Sequence, residues 1–312
     1  MNVLYLIFNR PHLQSESFSK IRAVKPKRLF IAADGPRPNR MGEDKLCIEA
    51  RKIVEKVDWD CDVKTLFRDA NLGCRINVGN AITWFFRHVE DGIIIEDDCV
   101  TSEAFFDLAS QLLAYYRDDH RVWCISATNF QKGVRRGDGS YYFSRYNHCW
   151  SWASWRRCWV HYDDALLLWS LAEQSGVASQ LFDTAAEKEY WKHIWNKLRE
   201  PNSEIDSWAY RWACAVTLNG GLTILPNANL VENTGFAGEG THCFGQNPYP
   251  GIQQFDATIV HPSFVLRDRE ADLFTFESVF GGTTDSQMKI IAAKFRRRVK
   301  RILRALRLKS EG

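Results

Sequence analysis

The sequence predicts an α/β fold, a mostly parallel mixed sheet flanked by helices. Three observations predict it. Short apolar runs recur through the first hundred residues, each closed by a turn signal. Stretches with helical spacing of apolar residues lie between them. Several runs are apolar without alternation, as in strands covered on both faces. A chain of 312 residues is long enough to bury a large core.

Residues 3–8 read as the first strand, broken by Asn9-Arg10-Pro11. Residues 12–24 follow with helical spacing (Leu13, Phe18, Ile21, Val24) and end before Pro26. A second strand, 28–33, is closed by Asp34-Gly35-Pro36. Residues 43–57 fit an amphipathic helix and 63–67 a third strand. A loop holding Asn71-Leu72-Gly73 precedes a helix at about 75–89. Next comes Gly92-Ile93-Ile94-Ile95, a buried strand that ends in Glu96-Asp97-Asp98. Ser102 is placed to cap a helix running to about Tyr116.

Past residue 120 the regular alternation stops. Residues 122–126 form a short strand, and 131–146 read as a loop or hairpin tip. Residues 165–200 are helical, and so are 208–218, which end at Gly220-Gly221. A strand at 222–225 is stopped by Pro226. Residues 235–257, rich in Gly, Pro, Asn and Gln, read as a long loop of the kind that often serves binding.

Composition excludes several classes. No segment approaches the ~18 apolar residues of a membrane span, and the N-terminus lacks the basic start of a signal peptide. The nine cysteines are irregularly spaced, with no C-x-x-C pair. That argues against a disulfide framework or zinc knuckle and for a reducing cytosol. Charge is unevenly placed. Residues 289–312 hold ten Lys/Arg against one acid, Glu311, a balance of +9. The other 288 residues hold 31 Lys/Arg against 37 Asp/Glu, a balance of −6.

The acid triplet is where chemistry is expected. Like charges at the end of a buried strand repel and raise one another's proton affinity. A hard divalent cation with oxygen ligands, Mn or Mg, is the simplest neutraliser. Asp98 would be the direct ligand, with Asp97 and Glu96 helping through water, ribose or the groups around the ion. The competing reading is a solvated acidic turn. Parallel sheets bind ligands beyond the C-terminal ends of their strands. Arg10, Asp34 and Asp97/Asp98 all lie there, so they should converge at one edge.

A resemblance gives these residues roles. Phe8-Asn9-Arg10, Ala33-Asp34-Gly35 and Glu96-Asp97-Asp98 with Phe105-Phe106 occur in order. Trp123-Cys124-Ile125-Ser126, Trp150-Ser151-Trp152-Ala153 and Ile205-Asp206-Ser207-Trp208 follow. Pro226-Asn227-Ala228-Asn229-Leu230-Val231, Thr234-Gly235-Phe236 and Thr241-His242 complete the set. The ordered set resembles metal-dependent nucleotide-sugar glycosyltransferases of the GT-A fold. Bacterial surface-polysaccharide transferases are most similar, and the N-acetylglucosaminyltransferase that begins complex N-glycans is also similar. The resemblance covers about residues 3–243.

It implies a nucleotide-sugar donor, UDP-linked by preference, and an oligosaccharide or lipid-linked glycan acceptor. Arg10 and Asp34 would hold the nucleotide, Asp34 at the uracil or ribose edge, and Arg75 would reach the diphosphate. Asp206 would be the base of an inverting transfer, with Glu204 the second candidate. The alternative for Asp206 is a helix cap. Many relatives carry Asp where this chain has Ala209. His242 would complete the metal shell. Trp150 and Trp152 would stack on sugar or else pack in the core.

The implied organisation is one catalytic domain, 1–265, with a nucleotide-binding half (1–120) and an acceptor half (121–265). A connecting segment, 266–288, leads to a basic tail, 289–312. Ile291, Phe295, Val299, Ile302 and Leu306 lie on one side of a helix there, with arginines around the rest. Such a helix reads as an anchor to an anionic membrane surface. That places the protein at the cytoplasmic, inner face of the cell membrane. Nothing in the body suits nucleic acid. Two rivals stand beside the transferase. A sugar-1-phosphate nucleotidyltransferase needs a Gly-rich loop after the first strand, and residues 9–16 hold no Gly. A non-catalytic membrane-surface protein would tolerate loss of the acid triplet.

Overall fold

The computed structural model describes residues 1–237 and 251–281. The expected alternation is present at the start: β1 (Asn2–Ile7), α1 (Pro11–Val24), β2 (Arg28–Ala33), α2 (Glu43–Arg51), β3 (Asp62–Phe67), α3 (Gly73–His88) and β4 (Asp91–Glu96). Pro11 opens α1, where its missing N–H has no partner to lose. The helix expected over 43–57 ends at Arg51, and Lys52–Lys56 tighten into a 3₁₀ turn.

The second half holds β5 (Cys99–Thr101), α4 (Glu103–Tyr115), β6 (Val122–Ser126), β7 (Tyr141–Ser144), β8 (Trp152–Trp155) and the single turn α5 (Arg156–Trp159). Then come α6 (Leu167–Gln174), α7 (Ala185–Leu198), α8 (Trp208–Leu218), β9 (Leu222–Pro226), β10 (Val231–Asn233) and α9 (Arg269–Val279). Four short strands, β5, β7, β8 and β10, add to the expectation. β7 lies inside the stretch read as a loop, because its four residues are too few to show a period beside the glycines at 133, 137 and 139.

One sheet has the order β3-β2-β1-β4-β8-β6-β9-β7. β3, β2, β1 and β4 run parallel to their neighbours. Both of β8's pairings are antiparallel, β6 and β9 are parallel, and β7 is antiparallel. The sheet is mixed and mostly parallel, with helices packed against it, as the sequence predicts. Register fixes the edge that matters. Ile7 pairs with Ala33, and Leu6 with Glu96. The ends of β1, β2 and β4 therefore finish together. A separate two-stranded ladder pairs β10 with β5, Asn233 opposite Cys99. It brings Thr234 back to the acid triplet, where its backbone N–H donates to the Asp98 carbonyl at 2.8 Å.

The largest apolar cluster joins β1, β2, β4, β6 and β8 with α3, α4 and α8. Val3, Leu4, Tyr5, Ile93 and Ile94 are all fully buried, as strands covered on both faces require. A second cluster is built mainly from α6, α7 and α8, around Trp169, Trp191 and Trp195. Ser102 occupies the N-cap position of α4, but its side chain makes no capping bond. Its backbone N–H donates instead to the Leu230 carbonyl. Residues 269–279, within the expected connecting segment, form α9. Its buried Asp272 accepts hydrogen bonds from Ser144 and Arg267. No helix among the described residues is long and apolar enough to cross a membrane. The basic tail lies outside the described residues.

Candidate active site

A cleft of about 260 Å³ opens at the C-terminal ends of β1, β2 and β4. Arg10, Asp34, Glu96, Asp97 and Asp206 line it together. These residues come from stretches up to almost two hundred positions apart, and the register of the parallel strands brings most of them to one edge.

Arg10, just past β1, faces the acids after β4. One guanidinium nitrogen donates to Asp98 Oδ2 at 2.9 Å, and the other pairs with Asp97 Oδ1. Asp97 Oδ2 also accepts the Phe8 backbone N–H at 3.1 Å. Burial raises the Asp97 carboxyl's proton affinity. Arg10 opposes that effect and the Asp98 charge adds to it. The Glu96 side chain has no hydrogen-bond or ion-pair partner among the described residues. Burial, with the Asp98 charge behind it, pushes its carboxyl up to about 8. Burial would lower the Arg10 pKa, but Asp97 and Asp98 more than offset this and raise it. Asp98 itself is buried and does not line the cleft. Gly235 closes over it. A Cβ there would sit 2.6 Å from Asp98 Oδ2.

Asp34 departs from its expected role. Its Oδ1 accepts the N–H groups of Gly35 and Leu72, each at 2.9 Å. Its Oδ2 accepts Gly73 N–H at 3.0 Å and the Asn71 amide at 3.1 Å. All four acceptor positions of the carboxylate are engaged. Asp34 therefore holds the Asn71-Leu72-Gly73 loop rather than offering a vacant edge to a base. Burial raises its pKa, and the three backbone N–H groups oppose the rise.

Asp206 is exposed and reaches across to α3, whose Arg75 N–H donates to its Oδ1 at 3.3 Å. It does not cap α8. Ser207 does so, accepting the Tyr210 N–H at 3.3 Å. Gly73 makes room for the acid. Its φ is +82°, and a Cβ would lie 2.9 Å from Asp206 Oδ2.

Other expected residues lie elsewhere. The Arg75 side chain turns to Asp164, with two bonds of 2.9 Å, and does not line the cleft. The Glu204 side chain is 89% exposed, 3.8 Å from Lys197. Trp152 is buried in an indole cluster with Trp159, Trp208 and Trp212, so the core-packing alternative holds for it. Trp150 lines a different cavity, with Tyr146, Trp191 and Tyr210. His242 is outside the described residues.

The cleft also holds residues that the sequence reading left without a role. Arg37 lies over the Phe8 ring, 5.5 Å from its centroid, and both line the cleft. Buried Glu43 clamps Arg37 and accepts the Asn9 amide at 2.9 Å. Arg37 follows the Asp34-Gly35-Pro36 turn, a position that could have drawn attention. The fold of α2 that brings Glu43 to it could not be read from spacing.

The lining side chains include two guanidiniums and four carboxylates. Among the described residues, no three His, Cys, Asp or Glu side chains converge as a preformed metal site. The donors still fit a hard divalent cation. Glu96, Asp97 and Asp206 bring carboxylate oxygens to the cleft, beside the amide side chains of Asn71 and Asn77. Such ions are commonly held by one or two carboxylates together with phosphate oxygens, without an all-protein cage.

No protein-family model matches the chain, and no curated protein matches it. Solved structures do. TarS residues 1–349 from S. aureus align at 10% identity and a TM-score of 0.40, over 74% of this chain and 60% of that one. The mannosyltransferase PcManGT from Pyrobaculum calidifontis, in complex with GDP-Man and Mn2+, aligns at 12% identity and 0.38, over 69% and 73%. A cytidylyltransferase from Leptospira borgpetersenii aligns at 13% identity and 0.32, over 66% and 73%. The chain thus spans about 60% of the length of TarS 1–349.

Proposed function

We propose that this chain is a metal-dependent, inverting glycosyltransferase of the GT-A type. It moves a sugar from a nucleotide-diphosphate donor, UDP-linked by preference, to a glycan acceptor in surface-polysaccharide synthesis. One observation carries the reading: Arg10, Glu96, Asp97 and Asp206 line one cleft at the C-terminal edge of the parallel strands.

The nucleotide base lies along Phe8 and Arg37, while Asp34 acts from behind by holding the Asn71–Gly73 loop in shape. Asp98, with Glu96 and Asp97 beside it at the cleft wall, would hold a Mn or Mg ion, and that ion would supply positive charge for the leaving diphosphate. Arg10 supplies the protein's own positive charge next to that group. Asp206 takes the proton of the acceptor hydroxyl. The hydroxyl oxygen bonds to the anomeric carbon as the bond from that carbon to the diphosphate breaks.

A thermal-shift screen of common nucleotide sugars, with and without Mn, tests this. One donor should raise the melting temperature in a Mn-dependent way, since only the folded state binds it. Asp98→Ala should remove the Mn-dependent part. If no donor shifts the wild type and Asp98→Ala leaves transfer unchanged, the reading fails. Residues 289–309 serve as the membrane-surface anchor in this proposal. Deleting 289–312 should abolish cosedimentation with anionic vesicles, and equal cosedimentation of the shortened chain would refute the anchor.

A further inference from the structure

The helix α6 is apolar on both of its sides. Leu166, Trp169 and Ala172 are buried in the second apolar cluster. Leu167, Leu168 and Leu171 point the other way and are 68%, 46% and 62% exposed. They stand three and four residues from one another along the helix, so they share one face. Val177, just beyond the helix, is exposed as well. A helix that is apolar all round is normally covered all round, and leucines clustered in water mark an interaction surface.

Charge decides what fits that surface. Residues 163–206, which carry α6, α7 and their connections, hold nine Asp/Glu against four Lys/Arg, a balance of −5. Two copies meeting through α6 would bring like charge together, and an anionic bilayer would be repelled in the same way. Residues 289–312 have the opposite sign, +9, together with an apolar stripe at helical spacing. Ile291, Phe295 and Val299 of that stripe stand four residues apart. They would span about 12 Å of helix, the length of the eight-residue α6. The described chain also ends close to α6. Phe280 packs on Trp191 of α7, with ring centroids 5.0 Å apart. Trp191 meets Trp195 at 5.3 Å, and Trp195 meets Trp169 of α6 at 4.8 Å. The seven residues 282–288 can extend to roughly 23 Å, enough to carry the tail across one helix.

We infer that the apolar stripe of residues 289–309 seats on the leucine face of α6 in the same chain, with its arginines toward the acids of 163–206. The inference rests on the reading of the tail as a basic amphipathic anchor and gives that anchor a second partner. One stripe cannot cover α6 and enter a bilayer at once. Membrane binding must therefore draw the tail off α6, and it is weakened by the fraction of chains in which the seat is filled.

Photo-crosslinking of the full chain without lipid, with benzoylphenylalanine in place of the exposed Leu171, tests the seat. Mass spectrometry should find the crosslink within one chain, to a peptide of 289–309. Phe295→Ser combined with Val299→Ser should reduce its yield about tenfold, as expected when two apolar side chains no longer have surface to bury. Cosedimentation with anionic vesicles gives a second readout. Leu167→Ser combined with Leu171→Ser, both at exposed positions, frees the tail and should strengthen vesicle binding severalfold. The inference falls if Leu171 crosslinks only to a second copy or to no peptide of the tail. It falls too if wild type binds vesicles and the α6 double variant binds them no better. The seat and the anchor fail separately. A crosslink to the tail in a chain that no vesicle sediments would keep the seat and overturn the anchor, and vesicle binding without the crosslink would do the reverse.

Discussion

At the level of single residues, Asp206 and Ser207 divide two tasks that one side chain could have carried. Ser207 caps α8, and Asp206 is left to face the cleft. Asp206→Asn should therefore lower transfer kcat by about 10²-fold or more with little change in melting temperature. Ser207→Ala should do the reverse, costing about 1 kcal/mol of stability in urea titration. Glu96 gives a pH signature. Folding raises its pKa from the ordinary 4.5 to about 8, because of burial and then Asp98. The folded state thus favours its protonated form. That contribution is complete below about pH 4.5 and is lost as pH rises to about 8. Glu96→Gln should raise the urea midpoint more at about pH 9 than at about pH 5. The acid triplet and its cation Arg10 were legible in the sequence, because each stands directly after an apolar strand. Asp34's commitment to a loop was not, since four hydrogen bonds from positions 35 and 71–73 depend on how that loop folds back.

At the level of elements, long periodic stretches were legible and short ones were not. The strand at 93–95 and the helix at 208–218 announce themselves by unbroken or periodic apolar residues. β8 does not. Its Trp-Ala-Ser-Trp sequence fits a strand, a loop or a sugar-stacking platform until its partners β4 and β6 are known. α9 shows how an element outside the expected domain boundary is tied in. Asp272, fully buried, joins Ser144 at the end of β7 to Arg267 before the helix. Asp272→Ala removes the buried acceptor of the Ser144 hydroxyl and the Arg145 backbone N–H and should cost about 2 kcal/mol, read as a lower urea midpoint with cleft binding retained.

At the level of the whole molecule, a parallel block and a mixed block of one sheet meet at β4 and β8, and the acid triplet stands at the end of that seam. The parallel block was readable from strand–helix alternation. The mixed block depends on pairings between residues far apart in sequence, which no local pattern records. One feature of the seam bears on how the chain endures when metal is scarce. Arg10 already lies between Asp97 and Asp98, so the acids are partly discharged without any ion. Folding is thus expected to proceed without the ion, unlike that of small domains which unfold when stripped by a chelator. EDTA should silence transfer yet leave the melting temperature of the ligand-free chain unchanged. Returning Mn should rearm it without refolding. On the proposed metal-dependent reading, a cell starved of the ion would keep a dormant stock of this protein rather than lose it.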